Sequence, residues 1–303
     1  MKMSVNKTRV IRKPKLYVVC GPTATGKTNR AIEIAKELDG EVISADSRQV
    51  YRDMNIGTAK VTVDEMDGIP HHMIDIVDPG GNFSVAEYKK MAQEKITDII
   101  ARGKTPILCG GTGMYIDAVV YNRTLPEVPP DTKLRNELSQ KTPVELFEIL
   151  SDKDLNRAKN IDKNNPVRLI RAIEIVEALG RVPASENDPD SPYNVEWIYL
   201  DKQDDELQQR IHSRNIQRLS NGLIDEVKDL HEKGVSLQWL YDCGLEYRYV
   251  TLFLYPDADI NIKPNERIPQ TKEELITILD EKTWQFVTRQ RTWFKKYSCL
   301  KNS

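Results

Sequence analysis

Cysteine and histidine are scarce in this 303-residue chain: four of each, with no C-x-x-C pair. Cys20, Cys109, Cys243 and Cys299 are scattered, and the first two fall inside apolar runs, where a thiol serves as a packing group. This usage argues against a disulfide framework and fits a reducing cytosol. His71 and His72 are adjacent and would point to opposite faces of a strand, so the histidines form no zinc pattern. An excess of one charge is missing too, since 44 basic residues face 46 acidic ones for a formal net charge of −2. A nucleic-acid partner would therefore have to be met by local basic patches. No stretch approaches the length of a membrane span, which predicts no membrane partner. Residues 1–15 are polar and basic and lack the apolar segment of a signal peptide, so the expected location is cytoplasmic, with residues 1–14 loose. What the chain does have is enough apolar material, 39%, for one large core or two smaller ones.

It also has one complete motif. Residues 21–28 read Gly21-Pro22-Thr23-Ala24-Thr25-Gly26-Lys27-Thr28, a G-x-x-x-x-G-K-[ST] phosphate loop. It follows the apolar run Leu16-Tyr17-Val18-Val19-Cys20 and precedes a helical pattern of Ala31, Ile32, Ile34, Ala35 and Leu38. Gly21 and Gly26 let the backbone turn tightly, so that successive N–H groups face one ligand. The helix adds its positive N-terminus, Lys27 a point charge and Thr28 a hydroxyl for Mg²⁺. A di- or triphosphate is the predicted ligand.

Four short apolar runs, at 15–20, 41–46, 105–109 and 195–200, read as buried parallel strands with helical patterns between them. The clearest helix begins at a capping box, Ser84-Val85-Ala86-Glu87, with Tyr88, Met91, Ile96 and Ile99 on its apolar face. Proline-rich stretches at 125–131 and 185–192 interrupt this rhythm and enclose a segment with helical patterns only. The predicted class is α/β: a P-loop NTPase-like parallel sheet flanked by helices, with an inserted all-helical domain. The expected boundaries are 1–124 with 193–303 for the catalytic core and 125–192 for the insert. From Asp204 onward the pattern is mostly helical, with Trp284, Phe286, Trp293 and Phe294 as core or interface anchors.

The second strand ends at Asp46, on the same sheet edge as the phosphate loop. A carboxylate there can hold Mg²⁺, act as a base on an incoming nucleophile, or cap the next turn. The third strand ends in Gly110-Gly111-Thr112-Gly113-Met114-Tyr115, whose glycines allow close approach of a ligand or another backbone. Nucleotide hydrolases carry an apolar strand ending in a metal-binding Asp. The run at 105–109 has none, so group transfer onto an acceptor fits better than hydrolysis coupled to motion.

These segments, in this order, resemble the tRNA dimethylallyltransferases (isopentenyl-diphosphate:tRNA transferases). The resemblance rests on Gly21–Thr28, Ser44-Ala45-Asp46-Ser47, Asn55-Ile56-Gly57-Thr58-Ala59-Lys60, Pro70–Ile76, Gly110–Tyr115, Asn165–Glu174 and Gly222–Val227. It implies transfer of a dimethylallyl group from dimethylallyl diphosphate to N6 of adenosine 37 in tRNA, with Mg²⁺ as cofactor. It implies that Gly21, Pro22, Thr23, Ala24, Thr25, Gly26, Lys27 and Thr28 hold the leaving diphosphate, with Thr28 at the metal. Asp46, Thr23 and Lys27 are the implied catalytic residues, Asp46 as base and Thr23 at the bridging oxygen. The implied tRNA contacts are Asp46, Ser47, Arg48, Gln49, Thr112, Arg135, Val167, Arg168, Leu169, Ile170, Arg171, Arg289 and Gln290. The basic residues Arg157, Lys159, Lys163, Arg291, Lys295 and Lys296 add candidate phosphate contacts. No oligomer is implied, and a monomer is expected.

The chain departs from the family pattern near its C-terminus. Glu246 stands where a basic residue is expected, and Trp284 and Thr288 replace two more, which predicts weaker phosphate binding in a diverged branch. Other readings are a small-molecule kinase, an isopentenyltransferase acting on free nucleotides, or a tRNA-binding protein that has lost its chemistry. The retained Asp46 argues against the last.

Overall fold

The computed structural model describes residues 13–183 and 191–297. The expectation for residues 1–14 therefore falls almost wholly outside the described residues, as does most of the proline-rich stretch at 185–192. The chain divides into two compact units, one of Met1–Asn122 with Pro189–Ser303, the other of Arg123–Asp188.

The first unit is built on five parallel strands: β1 (Lys15–Cys20), β2 (Gly40–Ser44), β3 (His71–His72), β4 (Thr105–Gly110) and β5 (Asn194–Tyr199). Their order is β3-β2-β4-β1-β5. Four of these correspond to the predicted apolar runs. The fifth, β3, is two residues long, too short to leave a periodic trace. One expectation is corrected. Strand β5 is not buried: its residues are exposed or half-buried, because among the described residues it is an edge strand bonded to β1 alone.

Both faces of the sheet are covered, as an all-parallel sheet requires. On one side the helix Lys27–Glu37 packs Ala31, Ile34 and Ala35 against Val19, Val42 and Ile107. On the other the helix Val85–Ala101 buries Tyr88, Ala92, Ile96 and Ile99. Its capping box is present in both directions between Ser84 and Glu87. Met91, expected on the apolar face, is 36% exposed, and Ala92 takes its place. A third apolar cluster joins Val50 and Met54 to the helices Leu223–Glu232, Leu245–Leu254 and Lys272–Phe294. Among the described residues no helix is long and apolar enough to cross a membrane.

The strand order positions the site. Because β4 lies between β1 and β2, the loops after all three emerge side by side at one sheet edge. Their proximity is tight: Ala45 donates from its N–H to Cys109 O at 2.7 Å, and a Cβ on Gly110 would fall 2.2 Å from Ala45 O.

One buried charge cluster ties this layer together. Glu41 on β2 is 2% exposed and receives two hydrogen bonds from Arg102 and one contact, 2.7 Å, from His72 Nε2. The Arg102 guanidinium holds its carboxyl down at about 2, below the ordinary 4.5. A depressed carboxyl contributes stability that is present above pH 4.5 and is lost as pH falls through about 2. Glu41→Gln should thus cost at most about 3 kcal/mol at neutral pH, and the gap to wild type should close on acidification. Urea unfolding of both proteins between pH 7 and pH 3 checks this; a gap constant over that range would contradict it.

The second unit holds the helices Thr132–Ser139, Pro143–Lys153, Leu155–Ala158 and Pro166–Leu179 and, among its described residues, no strand. Its core joins Leu138, Leu146, Leu150, Leu169, Ala172 and Ile173. Asp131, Thr142, Asp154 and Asn165 each cap the helix that follows by accepting a backbone N–H.

Candidate active site

The phosphate loop has the backbone its glycines predict. Gly21 and Gly26 lie at φ 142° and 91°, and Ala24 is held at φ 65°. The helix Lys27–Glu37 starts at Gly26 without a side-chain cap, which leaves its first N–H groups available to an anion. Thr25 Oγ1 donates to Pro22 O at 2.9 Å, and Lys27 Nζ donates to the same oxygen at 2.6 Å. Burial lowers the Lys27 pKa, which marks an ammonium short of compensating charge in the wall of the cavity.

That cavity, about 510 Å³, opens over the ends of β1, β2 and β4 and includes Thr23, Lys27, Thr28 and Asp46. It is large enough for a small organic diphosphate and part of a second reactant. Asp46 caps its own turn: Oδ1 accepts Arg48 N–H at 2.8 Å and Gln49 N–H at 3.4 Å. The capping and functional readings of Asp46 are thus compatible, because both hydrogen bonds use one oxygen. Thr112 Oγ1 accepts Ser47 N–H at 3.1 Å, and Thr112 N–H donates to Ala45 O at 3.1 Å, so the glycine turn after β4 fixes the turn after β2. Cys109 also faces the cavity, but burial pushes its thiol up to about 12, so it stays protonated and is no nucleophile.

Two of the sequence motifs explain each other. Glu226 accepts the N–H groups of Asn55, Ile56 and Gly57 at 2.7–3.0 Å and the Tyr247 hydroxyl at 2.7 Å. One carboxylate therefore holds the loop at 55–57 against the cavity wall. Lys60, 9% exposed, bonds Tyr51 O, Asn55 Oδ1 and Asp75 Oδ1, which closes the same loop from below.

Several residues expected to meet RNA are committed elsewhere. Gln290 is 5% exposed; its Oε1 accepts Thr23 N–H and its Nε2 donates to Gly111 O, each at 3.0 Å. It clasps the phosphate loop to the glycine turn. Gln49 spends its amide on Ser44 Oγ and on the carbonyls of Thr58 and Ala59. Arg135 and Arg171 both grip Glu174, which is 2% exposed, and Arg171 also donates to Val128 O at 2.8 Å. Arg168 and Arg171 share a helix face, yet only Arg168 is exposed. Leu169 is fully buried in the core of the second unit, and half-buried Ile170 packs against that core. Val167 is 71% exposed. Arg291 is bound by Asp201 and Asp204, and Lys296 by Asp117 at 2.5 Å. Arg289 stays exposed, its guanidinium 5.8 Å from the centre of the Phe286 ring. Of the four aromatic anchors, Phe294 is buried at 1%, while Phe286 is 37% exposed and lines the cavity.

Arg214 and Arg218, which sequence reasoning passed over, also line the cavity. They come from the helix Asp204–Ser220, one turn apart, so they share a face. Burial, followed by the neighbouring Arg218 charge, lowers the Arg214 pKa to about 9. The available signal was arginines four apart, Arg210, Arg214 and Arg218, alternating with the buried positions Leu207, Ile211 and Asn215.

Comparison with known proteins agrees with this geometry. Residues 49–297 match the family model described as IPP transferase. The tRNA dimethylallyltransferase of Halalkalibacterium halodurans is 40% identical over 291 residues, covering 93% of this chain and 88% of the relative. That of Bacillus pumilus is 38% identical with 93% and 87% coverage. Among solved structures, a tRNA isopentenylpyrophosphate transferase from Staphylococcus epidermidis is 36% identical with a TM-score of 0.65, covering 93% of this chain and 90% of that one. A eukaryotic dimethylallyltransferase acting on tRNA has a TM-score of 0.75 at 25% identity, covering 92% of this chain and 69% of that one. With most of its length matched in both sequence and fold, the chain belongs to the IPP transferase family.

Proposed function

We propose that this protein is a tRNA dimethylallyltransferase, which transfers the dimethylallyl group of dimethylallyl diphosphate to N6 of adenosine 37 in the anticodon loop of tRNA. The observation that carries the reading is Asp46 in the wall of the same cavity as the phosphate loop, with one carboxylate oxygen fixed by backbone N–H groups. A loop that grips a diphosphate beside a base suits displacement of diphosphate by a nitrogen.

The chemistry follows from that arrangement. The N6 amine attacks C1 of the dimethylallyl group, and the C1–O bond breaks. Its electron pair leaves with the diphosphate, and the N6 proton passes to Asp46. An exocyclic adenine amine is a feeble nucleophile because its lone pair is delocalised, so a positioned carboxylate matters. Lys27 and the N–H groups at the start of the helix after Gly26 stabilise charge building on the leaving group. Thr23, its backbone held by Gln290, would contact the bridging oxygen of the bound diphosphate. The adenine must be turned out of its stack to enter, which a flexible anticodon loop permits at low cost. Phosphates of the RNA are met by exposed cations such as Arg168 and Arg289.

Mg²⁺ fits the donor set. The Thr28 hydroxyl is a hard oxygen donor in the cavity, and among the described residues no cluster of three or more His, Cys, Asp or Glu forms a self-sufficient metal cage. An ion that takes its remaining ligands from substrate phosphate and water needs no such cage. Thr28 would hold it, and it would supply charge neutralisation to the departing diphosphate.

The test is to incubate the protein with unmodified tRNA, dimethylallyl diphosphate and Mg²⁺ and to weigh the nucleosides. The expected product is one adenosine heavier by a dimethylallyl group, with free AMP unmodified. Modification of AMP without modification of tRNA would move the acceptor to free nucleotides, and no product from either would overturn the transferase reading.

A further inference from the structure

The cavity wall carries an ion pair that the mechanism above does not use. Arg218 Nη1 donates to Glu246 Oε1 at 2.7 Å, with the two side chains 7% and 19% exposed. Both line the cavity with the phosphate loop. Such a pair is costly to bury unless something else in the site rewards it. Arg218 is also held from behind: Nη1 lies 3.4 Å from Asn215 Oδ1, and Asn215, fully buried, donates to Asp280 Oδ1 at 2.8 Å. The guanidinium is therefore fixed through one nitrogen. Among the described residues its Nε is buried without a hydrogen-bond partner, as is Nε of neighbouring Arg214. Two arginines one turn apart in the cavity wall, served by one carboxylate, leave an excess positive charge that an anion in the cavity would balance.

We infer that Arg218 is a further diphosphate-binding residue of this site and that Glu246 is its positioning residue. The inference rests on the reading that a diphosphate occupies the cradle. It also revises the expectation drawn from position 246. The acid there is paired, at 2.7 Å, with a guanidinium carried by the helix Asp204–Ser220, so the cation at this place stands on the neighbouring member of the pair. A guanidinium at either position, with the counter-charge at the other, should serve.

The experiment compares wild type with Arg218→Gln, Arg218→Glu and the exchange Arg218→Glu/Glu246→Arg. Each is titrated calorimetrically with inorganic pyrophosphate, assayed for KM of dimethylallyl diphosphate and of tRNA, and checked for its unfolding midpoint. Arg218→Gln should weaken pyrophosphate binding about tenfold to a hundredfold, the size expected for a lost charge-assisted bond. KM for the donor should rise with it while KM for tRNA holds, a split that a general structural defect would not produce. Arg218→Glu should bind no pyrophosphate measurably, because two carboxylates then face the anion. The exchange should restore binding to within about tenfold of wild type, the coupling expected of residues in direct contact. Arg218→Gln binding pyrophosphate like wild type, with wild type itself binding, would overturn the assignment of Arg218 alone. An exchange variant that unfolds at the wild-type midpoint yet binds no better than Arg218→Glu would overturn the interchangeability of the two positions. Wild type failing to bind pyrophosphate would instead overturn the diphosphate reading on which the inference rests.

Discussion

Replacing Asp46 with asparagine should lower the rate of prenyl transfer by about a hundredfold to ten-thousandfold, the usual contribution of a positioned general base. The substitution isolates the chemistry. Oδ1 of Asp46 caps its turn by accepting from Arg48 N–H and Gln49 N–H, and an asparagine carbonyl can accept the same two bonds. The turn, and with it the Ser47–Thr112 contact, should survive. What is lost is the second oxygen, whose place is taken by an amide NH₂ that cannot receive a proton. Donor binding should therefore change little, and the deficit should appear in kcat. Alanine is the poorer probe, because it removes cap and base together. Single-turnover transfer to tRNA, with unfolding midpoints as control, checks the expectation. An asparagine variant working at the wild-type rate would assign the proton to another acceptor.

The second large effect is structural. Gly21→Ala should destabilise the protein by about 3 kcal/mol or more and abolish donor binding, through left-handed strain and a steric clash acting together. Gly21 lies at φ 142°, a conformation that L side chains rarely adopt, and a Cβ there would stand 2.0 Å from Leu200 O and 3.0 Å from its carbonyl carbon. Leu200 is not free to retreat. Its N–H donates to Cys20 O at 2.9 Å, extending the β1–β5 pairing. Room for the methyl group requires the end of β5 to part from β1 at the point where the phosphate loop begins. Gly26→Ala is the control. It shares the positive φ, 91°, but a Cβ meets nothing within 4 Å, so only backbone strain of about 1–2 kcal/mol remains. Denaturant unfolding of the two variants separates clash from strain. Equal losses would mean that the Leu200 carbonyl yields easily.

The departures at the C-terminal end also read differently in three dimensions. Thr288 returns its hydroxyl to Trp284 O at 3.2 Å, and the Trp284 ring lies beneath Arg291, 5.6 Å from the guanidinium carbon. These two positions serve the helix Lys272–Phe294 and its packing. The acid at 246 belongs to a charge pair in the cavity. Charge counted along the sequence and charge present at the site are separate quantities.

Local order was legible wherever one segment carried its own signal. The phosphate loop, the capping box at Ser84–Glu87 and the apolar runs of β1, β2 and β4 each state their conformation within a few residues, through glycine φ, reciprocal N–H bonds or continuous burial. The placement of Asp46 beside that loop was also legible, because both lie at carboxyl ends of parallel strands and such ends share one edge. Partner choice among polar side chains was decided only by the fold. Arg135 and Arg168 look alike in sequence. One is spent on Glu174, thirty-nine residues away, and the other faces water. Gln290 passes for a surface amide until the end of its helix is brought between Thr23 and Gly111. Arg218 reads as one more charge on a polar helix until Glu246 arrives from another. Sequence by itself thus determined the backbone that can hold a diphosphate, because that depends on neighbouring dihedrals. Which cations are free to serve it depends on where distant carboxylates come to rest, and only the tertiary structure decided that.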